Sequence, residues 1–256
     1  MSALLEIRDL VVEYASHGGR SRAVDGAALD VLRGETLALV GESGSGKTSL
    51  GRAILRLVPT VSGSVRFGGD DVLTLAGDAL RHFRRRAQVV FQDPKASLDP
   101  RMRVRDIVRE GIDIHALASR ADGTRRVERL LEEVGLSAAD ADRLPHEFSG
   151  GERQRIAIAR ALAVEPEFLV LDEAVSALDV LVRRQVLDLL AALQAARGLT
   201  YLFIAHDLAV VERIATRVAV MQQGRIVECA PTAALFAAPA SGAAQALLAA
   251  IPRIPW

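Results

Sequence analysis

The eight residues GESGSGKT, Gly41 to Thr48, restrict what this 256-residue chain can fold into more than any other stretch. An apolar run, ETLALV (Glu35 to Val40), precedes them, and TSLGRAILRLV follows with leucines and isoleucines at helical spacing until Pro59. The pattern predicts a buried strand, a glycine loop and a helix, in that order. In this context the loop wraps its backbone N–H groups around an anion. Gly41, Gly44 and Gly46 have no side chains to hold phosphates away, Lys47 can reach β- and γ-phosphates, and the Thr48 hydroxyl is placed to ligate Mg²⁺. A glycine-rich turn with no ligand would not account for eight fitting positions flanked by strand and helix.

A metal ion beside phosphates needs a carboxylate from another strand. EFLVLDEAVSALD supplies one: four apolar residues carry Asp172 to a strand end, where it can hold Mg²⁺ directly or through water. Glu173 follows, points differently, and can polarise an attacking water as a general base. Alone, a DE pair only ends a strand; the phosphate loop elsewhere in the chain gives it a second reading. A further anion cradle stands in FSGGERQRIAIARAL (Phe148 to Leu162), where Ser149, Gly150 and Gly151 occupy a helix entrance.

Further apolar runs at AQVVF, TYLFIA and RVAVM alternate with helical segments, which signals a largely parallel α/β sheet. Between about 93 and 160 the strand signals stop. MRVRDIVREGI and TRRVERLLEEVGL carry apolar residues three and four apart, as amphipathic helices do. LLEIRDLVVEY reads as a half-exposed strand, SHGGRSR as a turn-rich loop, and QQGRIVE as a hairpin about Gly224. From Pro231 on, the alanine- and proline-rich tail carries little signal.

Lys+Arg and Asp+Glu balance at 32 each, so there is no electrostatic footprint for nucleic acid, and RHFRRR (Arg81 to Arg86) reads as a solvated face. Cys229 is the only cysteine, which excludes an internal disulfide or a cysteine metal site and suits a reducing compartment. No run of 18 apolar residues occurs, so the chain is not expected to cross a membrane by itself. His17, His82, His115 and His146 have no metal-ligand spacing and read as surface or core histidines.

Taken in order, these motifs resemble those of ATP-binding-cassette (ABC) ATPases over nearly the whole chain. FSGGERQR resembles the family's signature motif, SALD (Ser176 to Asp179) its D-loop, VFQDP its Q-loop through Gln92, and IAHDL its switch histidine through His206. The resemblance implies a P-loop NTPase fold with a mainly parallel sheet core, an antiparallel β subdomain and an inserted helical subdomain. It implies one cassette over 1–256: about 1–92 and 161–230 form the nucleotide-binding core, about 93–160 the helical subdomain, and about 231–256 a C-terminal tail. ATP and Mg²⁺ are the expected ligands. Gly41, Ser43, Gly44, Ser45, Gly46, Lys47, Thr48 and Ser49 would hold the nucleotide and Tyr14 would stack on adenine. Thr48, Gln92 and Asp172 would serve the metal, and Glu173, Gln92, His206 and Lys47 would act in hydrolysis.

In such proteins the signature residues cap the γ-phosphate of ATP held by a second cassette, packed head to tail. That assigns Ser149, Gly150, Gly151 and Asp179 to a partner's nucleotide and makes a second ABC ATPase subunit, identical or related, an expected partner. Many members have glutamine where this chain has Glu152, so its activity is expected to be tuned and not lost.

GESGSGKTSLGRAILRL, VFQDPKASLDPRM and DEAVSALDV resemble the ATPases of bacterial importers for dipeptides, oligopeptides and nickel. The ending APASGAAQALLAAIP keeps only part of that branch's closing segment. The implied role is a motor on the cytoplasmic face of the membrane. It would drive separate transmembrane permease subunits and be served indirectly by an extracytoplasmic substrate-binding protein. The alternatives are a soluble ABC ATPase, which usually shows a long coiled coil or two cassettes, and a small-molecule P-loop kinase, which leaves FSGGERQR unexplained.

Overall fold

A computed structural model describes residues 2–16 and 19–250; His17 and the end of the tail, 251–256, lie outside the described residues. Strands in chain order are β1 (Ala3–Ser16), β2 (Gly19–Leu32), β3 (Thr36–Val40), β4 (Ser62–Phe67), β5 (Asp70–Asp71), β6 (Ala87–Val90), β7 (Phe168–Asp172), β8 (Thr200–Ile204), β9 (Arg217–Gln222) and β10 (Arg225–Pro231). Helices are α1 (Lys47–Ile54), α2 (Gly77–Arg86), α3 (Pro94–Ser97), α4 (Val104–Ile114), α5 (Arg120–Glu133), α6 (Gly150–Leu162), α7 (Val180–Arg197), α8 (Leu208–Ile214), α9 (Thr232–Ala237) and α10 (Gly242–Ala249). The chain divides into two compact units, 1–81 with 200–256, and 82–199.

In the first unit, β3 lies between β8 and β9 with both neighbours parallel to it. Every residue of β3 and β8 is buried, which is why both read as unbroken apolar runs instead of alternating ones. β10 closes this sheet antiparallel to β9. The link is the two-residue turn Gln223–Gly224, with φ of +49° and +80°, the expected hairpin. A second, antiparallel sheet runs β2-β1-β4-β5. Its buried face is built from Leu5, Ile7, Val12, Val24, Val65 and Phe67, and β1 is bulged around Asp9, whose φ is +47°.

SHGGRSR is not merely a loop: from Gly19 the chain is already paired in β2, with Tyr14 opposite Ser21. Helix α1 also stops earlier than Pro59 requires. Arg56 takes a left-handed conformation (φ +51°), its N–H donates to the Ala53 carbonyl, and the Leu57 N–H donates to the Arg52 carbonyl. That is a Schellman ending without glycine. The Arg56 guanidinium offsets the strain by donating to the carbonyls of Val72 and Leu75. The tail, unreadable from composition, forms α9 and α10. It is tied down by Glu228, whose carboxylate accepts the N–H groups of Ala240 and Ser241 at 3.0 and 2.8 Å and is held below its usual range by them.

In the second unit β6 and β7 run parallel, and among the described residues no strand lies between 91 and 167. The two amphipathic helices form as expected: α4 buries Val104, Ile107, Val108 and Ile112, and α5 buries Val127, Leu130 and Leu131. α6 is buried on most sides, which makes it the central helix of the unit. α4 crosses its far end so closely that a Cβ at Gly111 would lie 2.7 Å from Val164. RHFRRR is only partly a solvated face, because Phe83 is buried, Arg85 donates to the Val164 carbonyl and Arg86 pairs with Glu167 at 2.6 Å.

Candidate functional site

The glycine loop joins β3 to α1 at the C-terminal edge of the parallel strands, where α/β folds hold their ligands. Lys47 is 6% exposed, and its ammonium donates to the carbonyls of Gly41 and Glu42, both at 2.8 Å. A buried ammonium is thus held inside the loop by the loop's own carbonyls. α1 starts at Lys47, and its N-cap, Gly46, offers no side-chain acceptor; no acidic residue stands in the first turn. An uncapped helix entrance with a lysine folded beneath it fits an anion of high charge. Ser43 and Gly44 are exposed, Ser45 is buried, and Thr48 and Ser49 are half-buried.

The loop's shape is set from outside it. At Gly46 (φ +107°) a Cβ would fall 2.0 Å from the Ala23 carbonyl of β2, and at Gly41 it would fall 2.1 Å from the Met221 carbonyl of β9. The Ser45 carbonyl accepts the Gly224 N–H at 2.9 Å, and the Gly224 carbonyl accepts the Asp25 N–H at 2.9 Å. Sequence reading found Gly224 only as a turn residue; its service to the phosphate loop comes from a pairing no local pattern encodes.

Two further expected residues share this unit. His206 follows β8, and the Ala205 N–H donates to the Leu39 carbonyl at 3.2 Å, so His206 leaves from the same edge as the glycine loop. Asp207 caps α8 immediately after it. Tyr14 sits on the β1–β2 ribbon opposite Ser21, two residues outward from Ala23, and is 40% exposed. A flat, half-exposed ring is suited to stacking.

Gln92, Asp172 and Glu173 lie together in the other unit. Because Val90 pairs with Leu171, the chain leaves β6 into Gln92 and leaves β7 through Asp172 and Glu173 at one edge. Asp172 is 6% exposed. Glu173 has φ +49°, a costly conformation for a side chain of its size, and its carbonyl is held by the Ser176 N–H at 3.1 Å and hydroxyl at 2.9 Å. One buried carboxylate with phosphate oxygens is a donor set that suits Mg²⁺.

The entrance of α6 is locked in place. Ser149 is its N-cap: the Ser149 hydroxyl accepts the Glu152 N–H at 3.3 Å, and the Glu152 carboxylate accepts the Ser149 N–H at 2.8 Å. That capping box accounts for Glu152 at this position. Its carboxyl is held below the usual range, first by the Ser149 backbone N–H and then by the hydroxyl. Upstream, Arg143 lies over the Phe148 ring at 4.2 Å and donates to Asp140 at 2.8 Å and to the Glu147 carbonyl at 2.6 Å. Nothing in the sequence pattern singled out Arg143.

The two signature glycines differ in kind. A Cβ at Gly151 would lie 2.2 Å from Val182 in the first turn of α7, which Asp179 caps by accepting the Val182 N–H at 3.0 Å. At Gly150 the nearest atom would be Leu178 at 3.9 Å, an ordinary contact. The structure therefore brings Ser149, Gly150, Gly151 and Asp179 together. Gly151→Ala is expected to destabilise the chain by about 1–3 kcal/mol through overpacking against a stiff valine. Gly150→Ala should leave stability within about 0.5 kcal/mol or raise it by up to about 1. Urea unfolding of the two variants checks the contrast.

Residues 24–176 match the family model described as ABC transporter. The chain is 51% identical over 251 residues to an oligopeptide transport ATP-binding protein, OppF, of Bacillus subtilis, with 97% of this chain and 82% of that protein covered. It is 49% identical over 249 residues to a putative peptide import ATP-binding protein of Brucella ovis, covering 97% of this chain and 78% of the relative. Among solved structures it superimposes on the dimeric, post-hydrolysis ATP-binding cassette MJ0796 bound to ADP and Pi. There the TM-score is 0.81 and the identity 26%, over 89% of this chain and 98% of that one.

Proposed function

The chain belongs to the ABC transporter family of ATP-binding proteins, and on that premise we propose that it is the ATP-hydrolysing motor subunit of a peptide importer, acting at the cytoplasmic face of a membrane beside separate permease chains. The observation that carries the reading is the α1 entrance, with its uncapped N–H groups and buried Lys47, in a chain half identical to peptide-import ATPases. The peptide-import relatives favour this reading over a soluble ABC ATPase or a small-molecule kinase.

Gly41 to Ser49 hold the nucleotide phosphates, Lys47 exchanging the Gly41 and Glu42 carbonyls for phosphate oxygens, and Tyr14 stacks on the base. Mg²⁺, when bound, neutralises charge between the phosphates; Thr48, Gln92 and Asp172 are the residues that would hold it. Glu173 takes a proton from water, while Gln92 and His206 orient that water and the γ-phosphate. Ser149, Gly150, Gly151 and Asp179 serve the nucleotide of a second cassette, identical or related, so that ATP becomes part of an interface. The cassette spans 1–256, with 93–160 as its helical subdomain and 231–256 as its tail.

A groove of about 310 Å³ within 82–199, lined by Val89, Phe91, Glu110, Ile114, His115 and Val164, is where a permease loop would dock. Ile114 is 52% exposed there, which supports an apolar contact. No helix among the described residues is long and apolar enough to cross a membrane. Affinity purification of the tagged chain from detergent-solubilised membranes of its own cells tests the proposal. The expected result is co-elution with chains carrying transmembrane spans, lost in an Ile114→Glu variant that still folds. Elution of the chain alone would count against the importer role.

A further inference from the structure

A cavity of about 430 Å³ opens within residues 82–199 between three walls: the segment 92–95, the first turns of α6, and the turn 174–178. Each wall carries or adjoins a residue already placed in hydrolysis or in the second cassette's site: Gln92, Gly150 and Glu173. On the α6 wall stands Gln154, one turn beyond Gly150 and only 1% exposed. Its Nε2 is fully buried and makes no hydrogen bond among the described residues. Buried amide donors are nearly always satisfied, because desolvating one without a partner is costly. An unused donor at the edge of a cavity is therefore a donor whose acceptor arrives in another arrangement of the chain.

On the facing walls the backbone carbonyls of Gln92, Ala174 and Ala177 accept no bond among the described residues. The Asp93 carbonyl already accepts the Ser97 N–H, Pro94 accepts from Leu98 and from the Ser97 hydroxyl, and Leu178 accepts from Arg183. The carbonyls of Ala174 and Ala177 take no bond among the described residues. Their turn, however, is tied at both ends by Ser176 to Glu173 and Leu178 to Val175. The Gln92 carbonyl is also unused, and it stands before a segment held by the Asp93 cap on Lys95 and by the single turn of α3, whose Ser97 carbonyl accepts from Arg160 of α6. Gln92, exposed and outside that cap, is the part of the wall with room to approach Gln154.

We infer that Gln154 is a positioning residue for ATP hydrolysis: its Nε2 donates to the main-chain carbonyl of Gln92 when Gln92 closes onto α6. Fixing that carbonyl fixes the direction in which the Gln92 side chain leaves the backbone. Gln154 then links the helix that faces a second cassette's nucleotide to the residue that serves its own. The inference rests on the role proposed above for Gln92.

Gln154→Met keeps the length of the side chain and removes its donor. In the full chain with ATP and Mg²⁺ it is expected to lower kcat about tenfold, the loss of one positioned hydrogen bond, with affinity for a fluorescent ATP analogue within about twofold. The unfolding midpoint of the nucleotide-free chain should stay level or rise, since an unsatisfied donor has been removed. In a Gln92→Ala background the same substitution should change kcat by less than about twofold, because the residue it acts through is gone. Equal losses in both backgrounds, a lowered midpoint, or an unchanged kcat in the single variant would each overturn the inference. If Gln92→Ala alone leaves kcat at the wild-type level, it is the role of Gln92 that fails, and the inference falls with it.

Discussion

Glu173→Gln is expected to lower kcat for ATP by roughly 10²–10⁴-fold while leaving nucleotide binding in place, the range spanned by loss of a general base. The substitution is nearly isosteric, and the feature that fixes the backbone there, the Glu173 carbonyl held by Ser176, does not involve the side chain. Only the basicity changes. Asp172, one residue earlier and buried, keeps its carboxylate, so metal affinity should be unaltered. Single-turnover hydrolysis under saturating chain measures the rate, and filter binding of the same sample measures retained ATP. A variant that turns over within about threefold of the parent would remove Glu173 from the role of base. A variant that no longer binds ATP would place Glu173 among the metal's ligands instead.

The second large effect is expected from Ser149→Arg introduced into the Glu173→Gln chain. A hydrolysis-dead cassette should accumulate as an ATP-bound pair, and the added arginine should abolish that pairing while monomer affinity for ATP stays within about twofold. The physical ground is the proposed separation of duties within one chain: Gly41 to Thr48, which would grip its own phosphates, stand in one unit, whereas Ser149 caps α6 in the other. Loss of the cap alone costs about 1 kcal/mol, and Ser149→Ala controls for it. Light scattering with ATP reads the pairing. Lost nucleotide affinity with pairing intact would return Ser149 to its own chain's site. For a chain that pairs only with a related cassette, the same measurement is made on that heterodimer.

Most of the candidate site's local structure was legible because the residues proposed for it sit in short contiguous stretches. GESGSGKT, FLVLDE and FSGG each declare a local structure as well as a candidate ligand: an apolar run brings the functional residue to a strand end, and Ser149 with Gly150 and Gly151 marks a helix entrance. What stayed hidden is whatever depends on residues far apart in sequence. Gly224 supports Ser45, Ala23 shapes Gly46, and Arg143 braces Phe148, and none of these pairs leaves a periodic trace. The antiparallel sheet was visible only through resemblance, since β4 and β5 are short and half polar. The tail escaped for a different reason: its alanines make weak patterns, and its anchor is Glu228, a charge in an exposed edge strand that no local pattern connects to Ala240 and Ser241.

The contacts of Ala23 and Asp25 have a consequence for how this chain can lengthen or shorten through evolution or by design. Between the Ala23 carbonyl at Gly46 and the Asp25 N–H bonded to Gly224, three consecutive residues buckle the phosphate loop to the β9–β10 turn, with the Val24 Cα packed 3.3 Å from where a Gly224 Cβ would lie. One residue inserted or deleted inside that buckle shifts every later partner in β2 to the opposite face of the sheet and carries the error straight into the loop. A few residues further out, Gly19 to Arg22 are exposed and bound to nothing but the ribbon and its surface charges. Peptide tags, epitopes or extra turns placed between Gly19 and Arg20, outward of the Tyr14–Ser21 pair, should be tolerated without cost to nucleotide binding, whereas the same insertion between Ala23 and Asp25 should not.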